Sequence, residues 1–256
     1  MTLTINKYVP IIATKLAIIA SMIVLPLPAK AVTLVTERAT LKPNDQIDWL
    51  SLGKVLNPFV PNPADFLPNS FSATSEGGLG LKVDIPLVAG VTPPFVFQTT
   101  FPPNGIPTNF ANGDLILFTG FQPGKFPAVG NPGPLTITFE KPVFGAGTQI
   151  SVDDTLEFTL FISAFDQTNT LLDTFSIQGT SSLALDNSAQ FIGVRSNIPN
   201  ISRLVFSSSE PNRAFGLNRV SIVAAVPEPF STLAILAFGV SGIVLKQRPH
   251  TGKRLM

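Results

Sequence analysis

The chain has 256 residues and no cysteine, and only 13% of its residues are charged, about half the usual share of a soluble domain. Between residues 32 and 226 it carries ten Lys and Arg against fifteen Asp and Glu, a net charge near −5. This composition excludes zinc–thiolate sites, disulfides and cysteine nucleophiles. A mildly acidic body also argues against nucleic acid as a partner.

The first 31 residues have the pattern of a secretory signal peptide. Lys7 and Lys15 supply positive charge, and Leu16–Leu27 is a 12-residue apolar stretch, too short to span a bilayer comfortably. Small residues follow at Ala29 and Ala31, where signal peptidase would cleave. We therefore predict a signal helix over 1–31 that is removed on export.

Residues 32–134 form a proline-rich first part of the predicted ectodomain. Fifteen prolines lie between residues 41 and 134, and such a density excludes long helices and favours short strands between ordered loops. Many large apolar residues argue against disorder. The predicted strands are Ser70–Ser75, Gly80–Ile85, Phe95–Thr100 and Asp114–Phe118.

The second part, residues 135–223, shows regular alternation of apolar and polar residues. The longest alternating run covers Leu156–Phe165 and places every second apolar side chain on one face. We read Gly145–Gly147 as a turn between strands. The other predicted strands are Leu135–Phe139, Asp173–Gln178, Gln190–Arg195, Ile201–Ser207 and Leu217–Val223.

No window between residues 32 and 226 has a helical period. Short strands of this number and spacing predict an all-β fold, an antiparallel β-sandwich of the jelly-roll type over 32–223.

Few side chains in this body suit catalysis. The single histidine, His250, lies in the C-terminal tail, so a mature chain without the tail could not form a Ser-His-Asp triad. Asp153, Asp154 and Glu157 are the best candidates for a glycosidase pair, but a solvated turn is the favoured interpretation. The same carboxylates could also bind Ca²⁺. The sequence therefore leaves open whether the protein binds a metal ion. We predict no cofactor and no enzymatic activity.

Two sets of aromatic residues bear on glycan binding. Trp49 could be an exposed platform for a sugar, although a plug at one end of the core is favoured. Phe161 and Phe165 lie on the alternate face of their strand and predict an exposed or second buried apolar surface.

The last segment, residues 224–256, changes from polar to apolar and then to basic. Pro227, Glu228 and Pro229 keep the backbone extended, and the uncharged run 230–245 predicts a short transmembrane helix. The basic side chains after it would retain the tail on the cytoplasmic side. They are Lys246, Arg248, Lys253 and Arg254.

This order of a Pro-Glu-Pro triplet, an apolar helix and a basic end resembles the PEP-CTERM sorting signal of Gram-negative bacteria. One difference is that the tail spreads its charges instead of clustering arginines. The resemblance implies that an exosortase-type protease processes the tail, after transient anchoring in the inner membrane.

The strand pattern over about 139–223 also resembles the jelly-roll ectodomain of secreted PEP-CTERM proteins, which is related in outline to galactose-binding-like modules. We therefore expect an exported, non-enzymatic protein of the cell surface or extracellular matrix, alongside exopolysaccharide in a biofilm. Its body would either bind glycan or form matrix. The alternative is a secreted carbohydrate-binding or carbohydrate-active protein of the glycosidase type.

Overall fold

Two antiparallel β-sheets pack face to face in the computed structural model, which describes residues 32–125, 127 and 129–225. The all-β prediction is therefore confirmed for these residues. The predicted signal helix, the sorting motif, the transmembrane helix and the basic tail lie outside the described residues, as do all the site residues assigned to them.

The first sheet has eight strands, in the order β1-β11-β8-β13-β6-β5, with β14 beside β8 and β2 beside β14. They are β1 (Val32–Val35), β2 (Asp45–Ile47), β5 (Phe95–Gln98), β6 (Leu115–Phe118), β8 (Gly145–Val152), β11 (Gln190–Ser196), β13 (Phe215–Leu217) and β14 (Val220–Val223).

The second sheet has six strands, in the order β10-β9-β12-β7-β4-β3. They are β3 (Ser70–Thr74), β4 (Gly80–Asp84), β7 (Leu135–Val143), β9 (Glu157–Phe165), β10 (Leu171–Thr180) and β12 (Ile201–Ser208). One α-helical turn, α1 (Arg38–Leu41), and two 3₁₀ helices, Trp49–Leu52 and Pro63–Asp65, precede β3. These short helices carry no periodic signal and were not predicted.

The main core fills the space between the sheets. In β9, Phe158, Leu160 and Ile162 alternate with half-buried residues, and they belong to the same buried cluster as Ile150 and Ile192 of the first sheet. A strand with one covered face needs this period-two pattern. The alternation in 156–165 therefore predicted both the strand and its inner face correctly.

β5 and β6 are continuous apolar runs because both of their faces are covered. Val96 and Leu117 point into the main core, whereas Phe95, Phe97 and Phe118 point the other way into a second cluster. An uninterrupted apolar run is what a strand buried on both faces requires.

The interpretation of Gly145–Gly147 as a turn is wrong, because these residues begin β8, which pairs with β11, β13 and β14. Gly147 lies opposite Gly193, and a Cβ atom on Gly147 would lie 2.6 Å from Gly193 Cα and 2.7 Å from Phe191 Cζ. The glycines let the Phe191 ring lie flat on the strands; they serve close packing and not chain reversal.

Candidate functional site

The outer face of the first sheet, the face away from the main core, is largely covered by other parts of the chain. Over β11, Phe191 packs with Leu41 of α1 in a small apolar cluster. Over β5 and β6, the Phe side chains pack with Leu56 and Phe110 from long loops. Two hollows formed by the described residues on this face are candidate sites.

The first hollow, which we call the polar depression, has a volume of about 420 Å³. Its wall includes two acidic, two basic and three amide side chains, together with the Phe191 ring. These polar residues are Glu37, Asp114, Arg38, Arg219, Gln149, Asn187 and Asn218.

Asn218 organises the polar depression from a break in the last strand. β13 and β14 both pair with β8 and are separated by Asn218 and Arg219. The Asn218 side-chain amide donates to Gln149 Oε1 at 2.8 Å and to Asp114 Oδ2 at 3.2 Å. Gln149 in turn donates to Asn187 Oδ1 at 3.0 Å. These hydrogen bonds fix the amide orientations before any ligand arrives.

Arg38 lies across the depression from α1. Its guanidinium donates to Asn218 Oδ1 at 3.0 Å and to the Ser221 hydroxyl, and its Cζ lies 5.2 Å from the centre of the Phe191 ring. Burial and the neighbouring charge of Arg219 lower the pKa of Arg38 to about 10, against the opposing effect of Asp114. Arg38 therefore keeps its charge at neutral pH.

Trp49 lies behind the same break. Its side chain is fully buried, and its indole N–H donates to Asn218 O at 2.9 Å and to Leu217 O at 3.2 Å. The favoured prediction, a plug at the end of the core, is confirmed. The indole thus gives the buried carbonyls of Leu217 and Asn218, at the strand break, a hydrogen-bond donor.

The second hollow, which we call the apolar cavity, has a volume of about 450 Å³ and lies beside β5 and β6. Six phenylalanines line it: Phe59, Phe95, Phe97, Phe110, Phe118 and Phe121. Their rings pack edge-on or tilted, for example Phe97 against Phe118 with centroids 5.9 Å apart. No pattern in the sequence predicted that these phenylalanines enclose a hollow.

Asp153 carries a carboxyl group at this apolar cavity. Its backbone N–H donates to Ala214 O at 2.8 Å, which extends the pairing of β8 with β13 by one residue. Its Oδ2 atom is buried, and none of the described residues offers it a hydrogen bond. Burial raises the pKa of Asp153 to about 7, against the opposing effect of Arg213.

Asp153 and Asp154 lie at a bend between β8 and β9, so the predicted turn is confirmed, but its solvation is wrong for the Asp153 Oδ2 atom. Asp154 also lines the apolar cavity and forms an ion pair with Arg213 at 3.0 Å, whereas Glu157 is exposed at the start of β9. The described residues contain no group of three His, Asp or Glu side chains placed to hold a metal ion.

Phe161 and Phe165 are half-buried on the outer face of the second sheet. The Arg203 guanidinium carbon lies 4.0 Å from the centre of the Phe165 ring. This stacking covers part of the apolar surface that the alternation predicted.

Within the described ranges, no helix has the length and apolar character needed to span a membrane. The cleavage residues Ala29 and Ala31, the sorting residues 227–229 and the four tail charges stay predictions from the sequence.

No family model matches the chain, and no curated protein is significantly similar to it. Among solved structures it is similar to a DUF4465 family protein from Bacteroides caccae, with 12% identity and a TM-score of 0.36 over 77% of this chain and 100% of that one. It is also similar to the CBM22-1 xylan-binding domain from Paenibacillus barcinonensis Xyn10C, with 12% identity and a TM-score of 0.30 over 68% and 99%. At these values the likenesses identify neither a family nor a function.

The raised pKa of Asp153 makes stability fall as pH rises. The unfolded carboxyl loses its proton near pH 4, whereas the folded one keeps it until about pH 7, so the folded state binds more protons between these values. We expect wild type to lose about 2 kcal/mol of unfolding free energy relative to Asp153→Asn between about pH 5 and pH 8. Urea denaturation across this range measures the difference.

The matched control is Glu157→Gln, which neutralises an exposed carboxylate four residues away. Its pH profile should run parallel to that of wild type. Parallel profiles for wild type and Asp153→Asn would show that Asp153 titrates normally.

Proposed function

We propose that the protein is exported to the cell surface or extracellular matrix, where its sandwich binds a polysaccharide in the polar depression. The organised set of amide, carboxylate and guanidinium groups carries the proposal. A sugar presents hydroxyl groups that both donate and accept hydrogen bonds, as these groups require.

Two features of the polar depression suit such a ligand. The Asn218 and Gln149 side chains are held by each other and by Arg38, so little side-chain entropy is lost on binding. The Asn187 and Arg219 side chains at the edge are exposed and can meet a chain-like ligand.

The charges in the depression balance, because the side chains of Glu37 and Asp114 are matched by those of Arg38 and Arg219. We therefore propose a neutral glycan rather than a strongly acidic one. The protein would bind this glycan without cleaving it.

Export and sorting rest on the two ends of the sequence. We propose that signal peptidase removes residues 1–31 and that an exosortase-type protease acts at Pro227–Pro229 after the run 230–245 has entered the inner membrane. Lys246 and Arg248 follow this run immediately and would hold it there.

Replacing Pro227, Glu228 and Pro229 together by alanine should trap the protein in the inner membrane, because the extended recognition segment is lost. Cell fractionation with immunoblotting measures the distribution. Alanine at Pro61 and Pro63, two prolines of an exposed loop, is the control and should leave release unchanged. Normal release of the triple variant would contradict the sorting proposal.

Gln149→Ala should weaken binding of a neutral glycan about tenfold, since it removes a half-buried amide that also orients Asn187 and Asn218. A glycan array with the wild-type chain selects the ligand, and titration calorimetry compares the variants.

Gln178→Ala is the matched control, because Gln178 is an exposed amide on β10 in the other sheet and bonds Thr159 there. It should bind as wild type does. Equal affinities of the two variants, or no binding across the array, would argue against glycan binding at this depression and in favour of a purely structural role.

A further inference from the structure

The apolar cavity has the size and lining of a small-molecule site. Its volume of about 450 Å³ falls within the range of ligand pockets, which are mostly apolar with a few fixed polar groups. Two side chains in its wall, Phe59 and Leu183, are 51% and 57% exposed. The cavity therefore reaches the surface through an apolar mouth.

The Asp153 carboxyl in this wall is only partly satisfied by the protein. Its Oδ2 atom is buried without a hydrogen bond from any described residue. Arg213, whose charge acts on Asp153, is already engaged: it forms an ion pair with Asp154 at 3.0 Å and donates to Pro127 O at 2.7 Å. A carboxylate held in an apolar wall is costly to the fold, and a positive charge in the cavity would offset part of that cost.

The charges at the cavity also select the ligand. Asp154 and Arg213 neutralise each other, so ionised Asp153 leaves one uncompensated negative charge beside the rings. Aromatic faces attract cations as well. Both features favour a positively charged group on an otherwise apolar molecule.

We infer that the apolar cavity binds a hydrophobic amine, whose apolar body lies among the phenylalanines and whose ammonium group pairs with the Asp153 carboxylate. This site is separate from the polar depression, and the inference does not rest on glycan binding. It gives the protein a second ligand class, small aromatic or aliphatic amines.

The test compares three probes that share one apolar body: 1-naphthylmethylamine, 1-naphthalenemethanol and 1-naphthoic acid. Titration calorimetry on the full chain at about pH 8 should show the amine binding about tenfold more tightly than the alcohol, and the acid most weakly. Equal dissociation constants for the amine and the acid would overturn the inference.

Two variants locate the binding. Asp153→Asn should remove the preference for the amine while the alcohol binds as before, because only the charge is lost. Leu183→Trp at the mouth should weaken amine and alcohol alike. Leu171→Trp is its matched control, since Leu171 on β10 is 53% exposed, and it should change neither affinity.

An amine affinity that Asp153→Asn leaves unchanged would place the amine elsewhere. The same conclusion would follow if Leu183→Trp and Leu171→Trp had equal effects.

Discussion

The outer face of the first sheet must be kept from water, and the rest of the structure follows from this constraint. Phe95, Phe97 and Phe118 project from that face, and Phe191 lies on it over Gly147. Exposing such rings together would cost several kcal/mol, since burying each one contributes about 2 kcal/mol. The proline-rich loops and α1 are therefore held over this sheet, whereas the outer face of the second sheet stays open.

The covering segments are polar at one end of the sheet and apolar at the other, which explains the two different hollows. Near β11 the covering helix α1 carries Arg38, and the strand break carries Asn218. The depression there is therefore lined by a hydrogen-bonded network. Near β5 the cover supplies Phe59 and Phe110, so the cavity there is aromatic. Glycan binding and amine binding are thus proposed for neighbouring parts of one sheet face.

The sequence predicted the strands well where one face meets the core, as in β9, because alternation depends only on local neighbours. It failed at β8, where Gly145 and Gly147 look like turn residues, although the close approach of β11 and Phe191 requires them. It also failed at Asp153, which lines a cavity whose other wall residues come from segments as far apart as Phe59 and Leu183. The polar depression could not be predicted, because Arg38, Asp114, Gln149 and Asn218 come from four distant segments.

The central claim is that ligands bind on the outer face of the first sheet, and a crystal structure of the full chain with a glycan selected by the array tests it most directly. The account predicts electron density for sugar over β8 and β11, within hydrogen-bond distance of Gln149 and beside the Phe191 ring. Sugar density on the outer face of the second sheet, over Phe161 and Gln178, would contradict it.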